Sequence, residues 1–260
     1  LPFAVAALAS LAQAFGAQYV VSEMVAGDQL VRSRRDMVRR TAGAGVVTPL
    51  VIQLAGRESR WMGEGARLAE DAGADIIDIN MGCPSKMVTN GASGSALMRD
   101  PDHALRLIEA TVAATTKPVT LKMRLGWNGD SMNAPDIAQR AESAGVQMIV
   151  VHGRTRCQFF RGAADWSAIR PTVEAVRIPV IANGDIANVD DARRALDASG
   201  AAGVMVGRAA QGRPWLPAAI ASGLRDGRVA TPPSLAVIHA SLVELYRDSL
   251  GFYGIDLGVR

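Results

Sequence analysis

The sequence predicts an α/β protein folded as a (β/α)8 TIM barrel, and two observations predict it. A short strand rich in β-branched residues, a polar or glycine-containing loop and an alanine-rich amphipathic helix recur along the 260 residues. Such alternation is typical of parallel sheets, whose strands are joined by helices. Polar side chains also collect at the last residue of each strand or just beyond it, and a barrel has its active site at that end.

The hydrophobic periodicity predicts seven strands with helices between them. Glycine follows three of the helices, where it favours a C-cap: Gly73, Gly145 and Gly200. A doubly wound sheet is the alternative fold, but the segment at residues 91–94 lacks the G-x-G-x-x-G spacing that it would need. The predicted strands are Tyr19 to Glu23, Pro49 to Leu54, Ile76 to Asn80, Val119 to Arg124, Met148 to His152, Pro179 to Asn183 and Gly203 to Gly207. The predicted helices include Trp61 to Ala72, Pro101 to Thr115, Asp136 to Ala144, Trp166 to Val176 and Val189 to Ala198.

The pattern changes near the end of the chain and predicts a second region. Pro232 and Pro233 stop any helix in the loop before Ser234, and residues 234–250 have the pattern of one amphipathic helix. We predict a barrel domain over residues 1–226. A linker and the beginning of a small helical domain are predicted over residues 227–260.

Seven strands are one fewer than a closed barrel requires. We therefore expect the first strand to precede Leu1 and the natural protein to extend beyond both ends of this sequence. We also expect a gap in the sheet between the strands at Tyr19 to Glu23 and Gly203 to Gly207.

The composition excludes a disulfide scaffold and gives little indication of a partner. The two cysteines, Cys83 and Cys157, are expected to be free thiols in a cytoplasmic protein. No apolar run reaches the roughly 20 residues of a membrane span. Lys and Arg number 28 against 25 for Asp and Glu, so the formal charge is +3. This balance permits nucleic acid as a partner without indicating it, and we expect a monomer.

Two segments of the sequence point to a chemical role at the polar strand ends. Cys83 lies just past a strand, between Gly82 and Pro84, so its thiol is expected to be exposed at the mouth of the barrel and functional. Lys122 lies inside an apolar strand, and three roles stay open for it. It could be an ion-paired structural lysine, a Schiff-base nucleophile as in aldolases, or a fixed cation beside an electron-rich cofactor.

The loops after the last two predicted strands indicate a phosphate-binding site. Asn183, Gly184 and Asp185 follow one strand, and Gly207 and Arg208 follow the other. In barrels this pair of loops commonly binds a phosphate group, to which backbone N–H groups and a guanidinium donate. His152 ends the preceding strand and is followed by Arg154 and Arg156. No spacing of His, Cys, Asp or Glu suggests a metal, so none is expected.

Seven segments carry a family resemblance and occur in the order of that family. They are Ser22-Glu23-Met24, Gln53-Leu54-Ala55-Gly56, Asp78-Ile79-Asn80-Met81-Gly82-Cys83-Pro84, Thr120-Leu121-Lys122-Met123-Arg124, Val151-His152-Gly153-Arg154-Thr155-Arg156, Ile181-Ala182-Asn183-Gly184-Asp185-Ile186 and Gly207-Arg208-Ala209-Ala210-Gln211-Gly212. Together they resemble the tRNA-dihydrouridine synthase family, most closely its bacterial B-type members, over essentially the whole chain.

The resemblance implies an FMN-containing barrel that reduces the C5=C6 bond of chosen uridines in tRNA, with NADPH as electron source. Cys83 would then be the catalytic proton donor. FMN would be held by Gln53, Lys122, His152, Asn183, Gly184, Asp185, Gly207 and Arg208, the last two at its phosphate. Asn80, Arg124, Arg154 and Arg156 would bind the base or the tRNA backbone.

Other functions stay open at this point. An FMN barrel acting on a free pyrimidine, like a dihydroorotate dehydrogenase, would share the phosphate site, the lysine and the thiol. A Schiff-base aldolase using Lys122 and a non-catalytic RNA-binding barrel are further possibilities. The family often has Tyr where this sequence has Phe160, so a hydroxyl contact to substrate is not expected there.

Overall fold

Strands and helices alternate through the computed structural model, which describes residues 5–227 and 231–255. In this part of the chain eight strands form one sheet. They are β1 (Val20–Val21), β2 (Val25–Ala26), β3 (Leu50–Ala55), β4 (Ile76–Met81), β5 (Val119–Arg124), β6 (Met148–His152), β7 (Val180–Asn183) and β8 (Gly203–Met205).

Helices connect the strands and cover the outer face of the sheet. They are α1 (Val5–Ala14), α2 (Gly27–Val31), α3 (Arg35–Arg40), α4 (Ser59–Asp71), α5 (Lys86–Thr89), α6 (Pro101–Val112), α7 (Ala134–Ser143), α8 (Arg170–Ala175), α9 (Val189–Ser199), α10 (Leu216–Asp226) and α11 (Leu235–Tyr253). Short 3₁₀ helices lie at Gly94–Arg99, Ser167–Ile169 and Arg208–Ala210.

The sheet is parallel, and its strands lie side by side in chain order from β1 through β3 to β8. The short strand β2 pairs with the carboxyl end of β3. A doubly wound sheet would reverse its strand order in the middle, so this order excludes that alternative and confirms the curled, TIM-barrel-like fold. In the described residues no ladder joins β1 to β8, so the expected gap between these two strands is present.

All seven predicted strands are found, and β2 is an additional one. The predicted helix at Trp166 to Val176 is divided into the 3₁₀ turn at Ser167–Ile169 and α8. The physical reason is Pro171, which has no N–H to donate to the turn before it and therefore lies in the first turn of α8. Gly200 ends α9 in the left-handed conformation, as expected for a C-cap.

Side chains alternate along each strand between an apolar outer face and a polar inner face. Leu121 and Met123 of β5 belong to the hydrophobic core between sheet and helices, whereas Lys122 between them faces the barrel interior. The same parity holds in neighbouring strands, and the parallel register aligns the polar residues side by side. The aligned pairs are Gln53 with Asp78, Asp78 with Thr120, Asn80 with Lys122, Arg124 with His152, and His152 with Asn183.

Helix α10 ends at Asp226, the last residue of the predicted barrel domain. The amphipathic helix expected over residues 234–250 is present as α11, which Ser234 caps and which packs against α1. Residues 228–230 of the predicted linker and the final 256–260 lie outside the described residues. Among the described helices, none is long and apolar enough to cross a membrane.

Candidate active site

A cavity of about 620 Å³ opens at the carboxyl ends of the strands, within the roughly 300–1,000 Å³ usual for small-molecule sites. It brings together 11 of the 13 residues that the sequence singled out, and leaves out Arg154 and Arg156. The 11 are Gln53, Asn80, Cys83, Lys122, Arg124, His152, Asn183, Gly184, Asp185, Gly207 and Arg208.

A buried hydrogen-bond network forms the floor of the cavity. The Gln53 side-chain amide donates to Asp78 Oδ2 at 2.6 Å and accepts from Asn80 Nδ2 at 2.7 Å. Thr120 Oγ1 donates to the other oxygen of Asp78 at 2.6 Å. Because a carboxylate only accepts, these contacts fix the orientation of both amides. The network holds Gln53 and Asn80 in place before any ligand binds.

Asp78 is the buried carboxylate of this network, and its burial raises the pKa of its carboxyl group. The hydrogen bonds from Thr120 and Gln53 and the charge of Lys122 oppose this shift. Tyr19 lies close by. Burial first, and then the charge of Asp78, raise the pKa of Tyr19 to about 12.

The Cys83 loop is anchored from three sides. Asn80 Oδ1 accepts the backbone N–H of Cys83 at 3.0 Å, and Ser95 donates to the Cys83 carbonyl from both its N–H and its hydroxyl. Arg124 Nε donates to the carbonyl of Gly82 at 2.8 Å. The thiol itself is partly exposed and lines the cavity. The side-chain oxygen of Asn80 therefore accepts bonds from the loop itself.

Lys122 lies on the inner face of β5, and its Nζ donates to Asn183 Oδ1 at 3.2 Å. Burial lowers the pKa of Lys122 to about 8, while the charge of Asp78 opposes the shift and that of Arg124 adds to it. Asn183 Nδ2 donates to the carbonyl of Met205, which fixes the amide toward Lys122. The site thus holds a half-buried lysine whose ammonium has a single side-chain hydrogen bond in the described chain.

His152 is held neutral by its surroundings. Burial, followed by the charges of Arg124, Lys122 and Arg154, lowers the pKa of His152 to about 3. Arg154 Nη1 lies 3.2 Å from His152 Nε2. A guanidinium can only donate, so Nε2 accepts this bond and the proton of the neutral ring is on Nδ1.

Arg154 corrects one expectation from the sequence, because it does not lie at the mouth as a free cation. It is 2% exposed, and its guanidinium forms a two-pronged ion pair with Asp185 at 3.0 and 2.5 Å. Besides the bond to His152, it donates to the carbonyls of Arg161 and Gly162. Burying a charge requires such pairing, so this side chain is part of the scaffold and is closed to a tRNA phosphate.

Arg124 and Arg156, which were expected to bind the base or the tRNA backbone, also have partners within the protein. Arg124 is 1% exposed and, besides the Gly82 carbonyl, binds those of Thr155 and Phe159, although part of it lines the cavity. Arg156 stacks over Trp127 at 4.6 Å and donates to Thr89. The partners of both guanidinium groups are distant in the chain, so their contacts could not be predicted from the sequence alone.

The predicted phosphate loops come together on one side of the cavity. Gly184 has a φ of +117°, and a Cβ there would come within 2.9 Å of the His152 ring, so only glycine fits. A Cβ on Gly207 would meet no atom within 4 Å, so the backbone there is open. Arg208 is exposed above Asp185, at 3.5 Å, and stacks over Phe160 at 5.1 Å.

Sequence reasoning missed several residues of the site. Asp78 and Thr120 were quoted within motifs but given no role, and Ser22, which lines the cavity and accepts the N–H of Gln53, was also missed. The period-two parity would have identified Asp78 and Thr120, because they lie on the same strand face as Asn80 and Lys122. No group of three His, Cys, Asp or Glu side chains in the described residues could hold a metal ion.

The sheet is parallel and of the barrel type, and one cavity at the carboxyl ends of its strands contains a thiol, an ammonium and two loops. This arrangement defines a small-molecule enzyme site. The family model described as dihydrouridine synthase (Dus) matches residues 6–250. This chain therefore belongs to the dihydrouridine synthase family, a family of oxidoreductases, as its motifs predicted.

Curated relatives agree with this family. A protein of Rhodobacter capsulatus named "Probable tRNA-dihydrouridine synthase" is 57% identical over 248 residues, which are 95% of this chain and 76% of the relative. The tRNA-dihydrouridine synthase B of Xanthomonas axonopodis pv. citri is 44% identical over 96% of this chain and 75% of its own length.

A solved structure supports the fold. The histamine dehydrogenase from Rhizobium sp. 4-9 superposes with a TM-score of 0.60 at 15% identity and covers 86% of this chain. The chain spans 44% of the length of that protein.

Proposed function

We propose that this protein is a flavin-dependent tRNA-dihydrouridine synthase that holds FMN in the cavity, takes electrons from NADPH and reduces the C5=C6 bond of uridines in tRNA. One observation carries the proposal: a single cavity contains the thiol of Cys83 on an anchored loop and the ammonium of Lys122. Family membership supplies the reaction class, and the tRNA substrate is that of the named relatives.

The donor set of the cavity fits FMN. Lys122 has hydrogens free to donate beyond its bond to Asn183, and Gln53 retains a second amide hydrogen. These groups suit the carbonyl and nitrogen acceptors along the polar edge of a flavin ring. The open backbone at Gly207 and the exposed guanidinium of Arg208 suit a phosphate. When bound and reduced by NADPH, FMN supplies the hydride that C6 of the uracil accepts.

The protein itself would supply the proton and the alignment. Cys83 donates its Sγ proton to C5 as a general acid, which completes the addition of two hydrogens across the double bond. Asn80, Ser95 and Arg124 fix the loop that carries this thiol. His152, neutral and protonated at Nδ1, offers one ring donor without adding positive charge. A uridine within tRNA reaches this cavity only if its base leaves the stack.

The C-terminal residues 227–260 are proposed as a linker and the beginning of a helical domain that binds tRNA. Helix α11 supports this reading, because Leu235 and Leu242 are 84% and 57% exposed in the described chain. Apolar side chains left uncovered on one helix commonly mark a contact with a further element.

The two cysteines provide the test. Replacing Cys83 by Ala should slow the formation of dihydrouridine in an unmodified tRNA transcript by about 100- to 10,000-fold, the usual contribution of a general acid. Flavin content and the rate at which NADPH reduces the flavin should stay near wild type, because the thiol is not needed for either. Dihydrouridine would be quantified by mass spectrometry of nuclease digests.

Cys157→Ala is the matched control, since Cys157 is exposed and outside the cavity, and it should leave both half-reactions unchanged. Full-length protein that bound no flavin, or that reduced a free pyrimidine but no uridine in tRNA, would contradict the proposed function. Equal loss of both half-reactions in Cys83→Ala would contradict the role of the thiol alone.

A further inference from the structure

Positive charge on this protein is concentrated in one stretch of the chain. Residues 29–67 contain eight arginines and three acidic residues, a net charge of +5, whereas the whole chain carries +3. The rest of the chain is therefore slightly acidic. The arginines of this stretch are Arg32, Arg34, Arg35, Arg39, Arg40, Arg57, Arg60 and Arg67.

The fold turns most of these arginines outward. Leu30 of α2 and Met37 of α3 are buried and anchor the segment, while Arg32, Arg34 and Arg35 are exposed. Helix α2 lies close against α4, because a Cβ on Gly27 would come within 2.7 Å of the Trp61 carbonyl. Arg57 precedes α4, Arg60 lies in its first turn and Arg67 in its third, and all three are exposed as well. The two runs thus form one basic surface, which we define as residues 32–40 together with 57–67.

The basic surface also contains an aromatic ring with two cations above it. Arg60 lies 4.5 Å and Arg32 lies 5.8 Å from the centroid of the Trp61 ring. Arg60, Arg34 and Arg57 have carboxylate partners within 4 Å. Among the described residues no carboxylate lies that close to Arg32, Arg35 or Arg67, so these three charges are the least neutralised.

The part of the basic surface around α2 and the start of α4 is at the same end of the sheet as the cavity, and Arg67 lies two turns further along α4. Strand β2, which leads into α2, pairs with Leu54 and Ala55 at the carboxyl end of β3. Ser22, a few residues before α2, lines the cavity, and residues 57–60 directly follow β3. A chain of phosphates that enters the cavity mouth with one nucleotide could therefore continue over this surface.

We propose that the basic surface binds the phosphate backbone of the RNA substrate, through Arg32, Arg35 and Arg67 in particular. The inference rests on the proposed function for the identity of the RNA. It assigns backbone binding to exposed arginines in place of the buried Arg154. Guanidinium groups on an exposed surface contact phosphates without reading the bases, so this surface would contribute affinity and position and no sequence preference.

The test compares charge with structure. In full-length protein, replacing Arg32, Arg35 and Arg67 together by Gln should weaken binding of an unmodified tRNA transcript at about 100 mM salt. Each lost phosphate contact should also reduce the slope of log affinity against log salt by about 0.7 to 0.9. The corresponding triple replacement by Lys keeps the charge and should restore the slope. Flavin content should be unchanged in both variants.

The control is a triple replacement of Arg193, Arg194 and Arg225 by Gln. These arginines are exposed but pair with neighbouring aspartates on α9 and α10, and their removal should leave the salt slope unchanged. If the Gln variant keeps the wild-type affinity and slope while the protein reduces uridine in tRNA, the basic surface is not the RNA contact and the proposed function stands. Loss of binding that the Lys variant does not restore would likewise overturn the electrostatic role. A wild type that neither binds nor reduces tRNA would overturn both proposals.

Discussion

At the scale of the residue, burial decides what each charged group near the cavity can do. Arg154 sits between Asp185 and His152, and it determines which nitrogen of the imidazole accepts a hydrogen bond. Lys122 is half-buried, lines the cavity and keeps donors beyond its bond to Asn183. The same chemical type of side chain thus serves as scaffold in one place and as ligand contact in another.

His152 should remain neutral and protonated on Nδ1 across the pH range in which a free histidine titrates. The pKa of about 3 is far below the usual 6.5, so lowering the pH from 8 to 5 should leave its ring resonances unchanged. Replacing Arg154 by Gln removes one of the charges that lower the pKa, which should therefore rise. Nitrogen-15 NMR of the imidazole rings measures both the charge and the tautomer.

Assignment is direct because the chain contains three histidines, and His103 and His239 can be replaced one at a time. If His152 were protonated at Nε2, or if the His152 resonances of the wild type titrated near pH 6.5, Arg154 would not hold the ring as the distances indicate.

At the scale of the element, the strands could be predicted from the sequence and the partners of the arginines could not. β5 and β6 have the predicted boundaries, because three alternating apolar residues in β5 and four consecutive ones in β6 leave little choice of register. The parity of these strands also places Lys122 and His152 inward. Arg154 is buried because it pairs with Asp185, and Arg35 is exposed because of how its segment packs against α4. Both depend on contacts between residues distant in the chain. Local pattern carries no information about such contacts.

Helix α4 offers an element-scale prediction through its acidic residue Glu70. Its carboxylate accepts bonds from the Thr115 and Thr116 hydroxyls and the Thr116 N–H, and so joins α4 to the turn between α6 and β5. The Thr115 hydroxyl is the largest of the causes that lower the pKa of Glu70 from 4.5 to about 2. A lowered carboxyl pKa means that the ionised form stabilises the fold.

This stabilisation should be complete above pH 4.5 and should be lost as the pH falls toward 2. Glu70→Gln should therefore unfold at lower denaturant concentration than wild type at pH 7, and the difference should shrink as the pH falls through that window. Glu109→Gln serves as the control, since Glu109 is exposed on α6 and has no side-chain hydrogen bond or ion pair in the described residues. A difference independent of pH would assign the loss to packing.

At the scale of the whole molecule, the cavity connects parts of the chain that are far apart in sequence. Its lining runs from Ser22, beside the first strand, to Arg208 and Ala209 after the last one. A ligand bound there contacts both borders of the gap between β1 and β8. Binding to the folded state alone stabilises that state by mass action, by about 2.7 kcal/mol at 100 times the dissociation constant.

Comparing FMN with riboflavin, which lacks only the phosphate, distinguishes binding of the phosphate from binding of the flavin ring. If Gly207 and Arg208 hold that phosphate, FMN should raise the melting temperature of flavin-free protein more than riboflavin does at equal concentration. Arg208→Gln should reduce the FMN shift toward the riboflavin shift and leave the riboflavin shift unchanged, since the ring contacts of Lys122 and Gln53 remain. Differential scanning calorimetry gives all four shifts. Equal shifts of the melting temperature with FMN and riboflavin in the wild type would place the phosphate outside these loops. If the riboflavin shift also became smaller in Arg208→Gln, Arg208 would support the cavity as a whole.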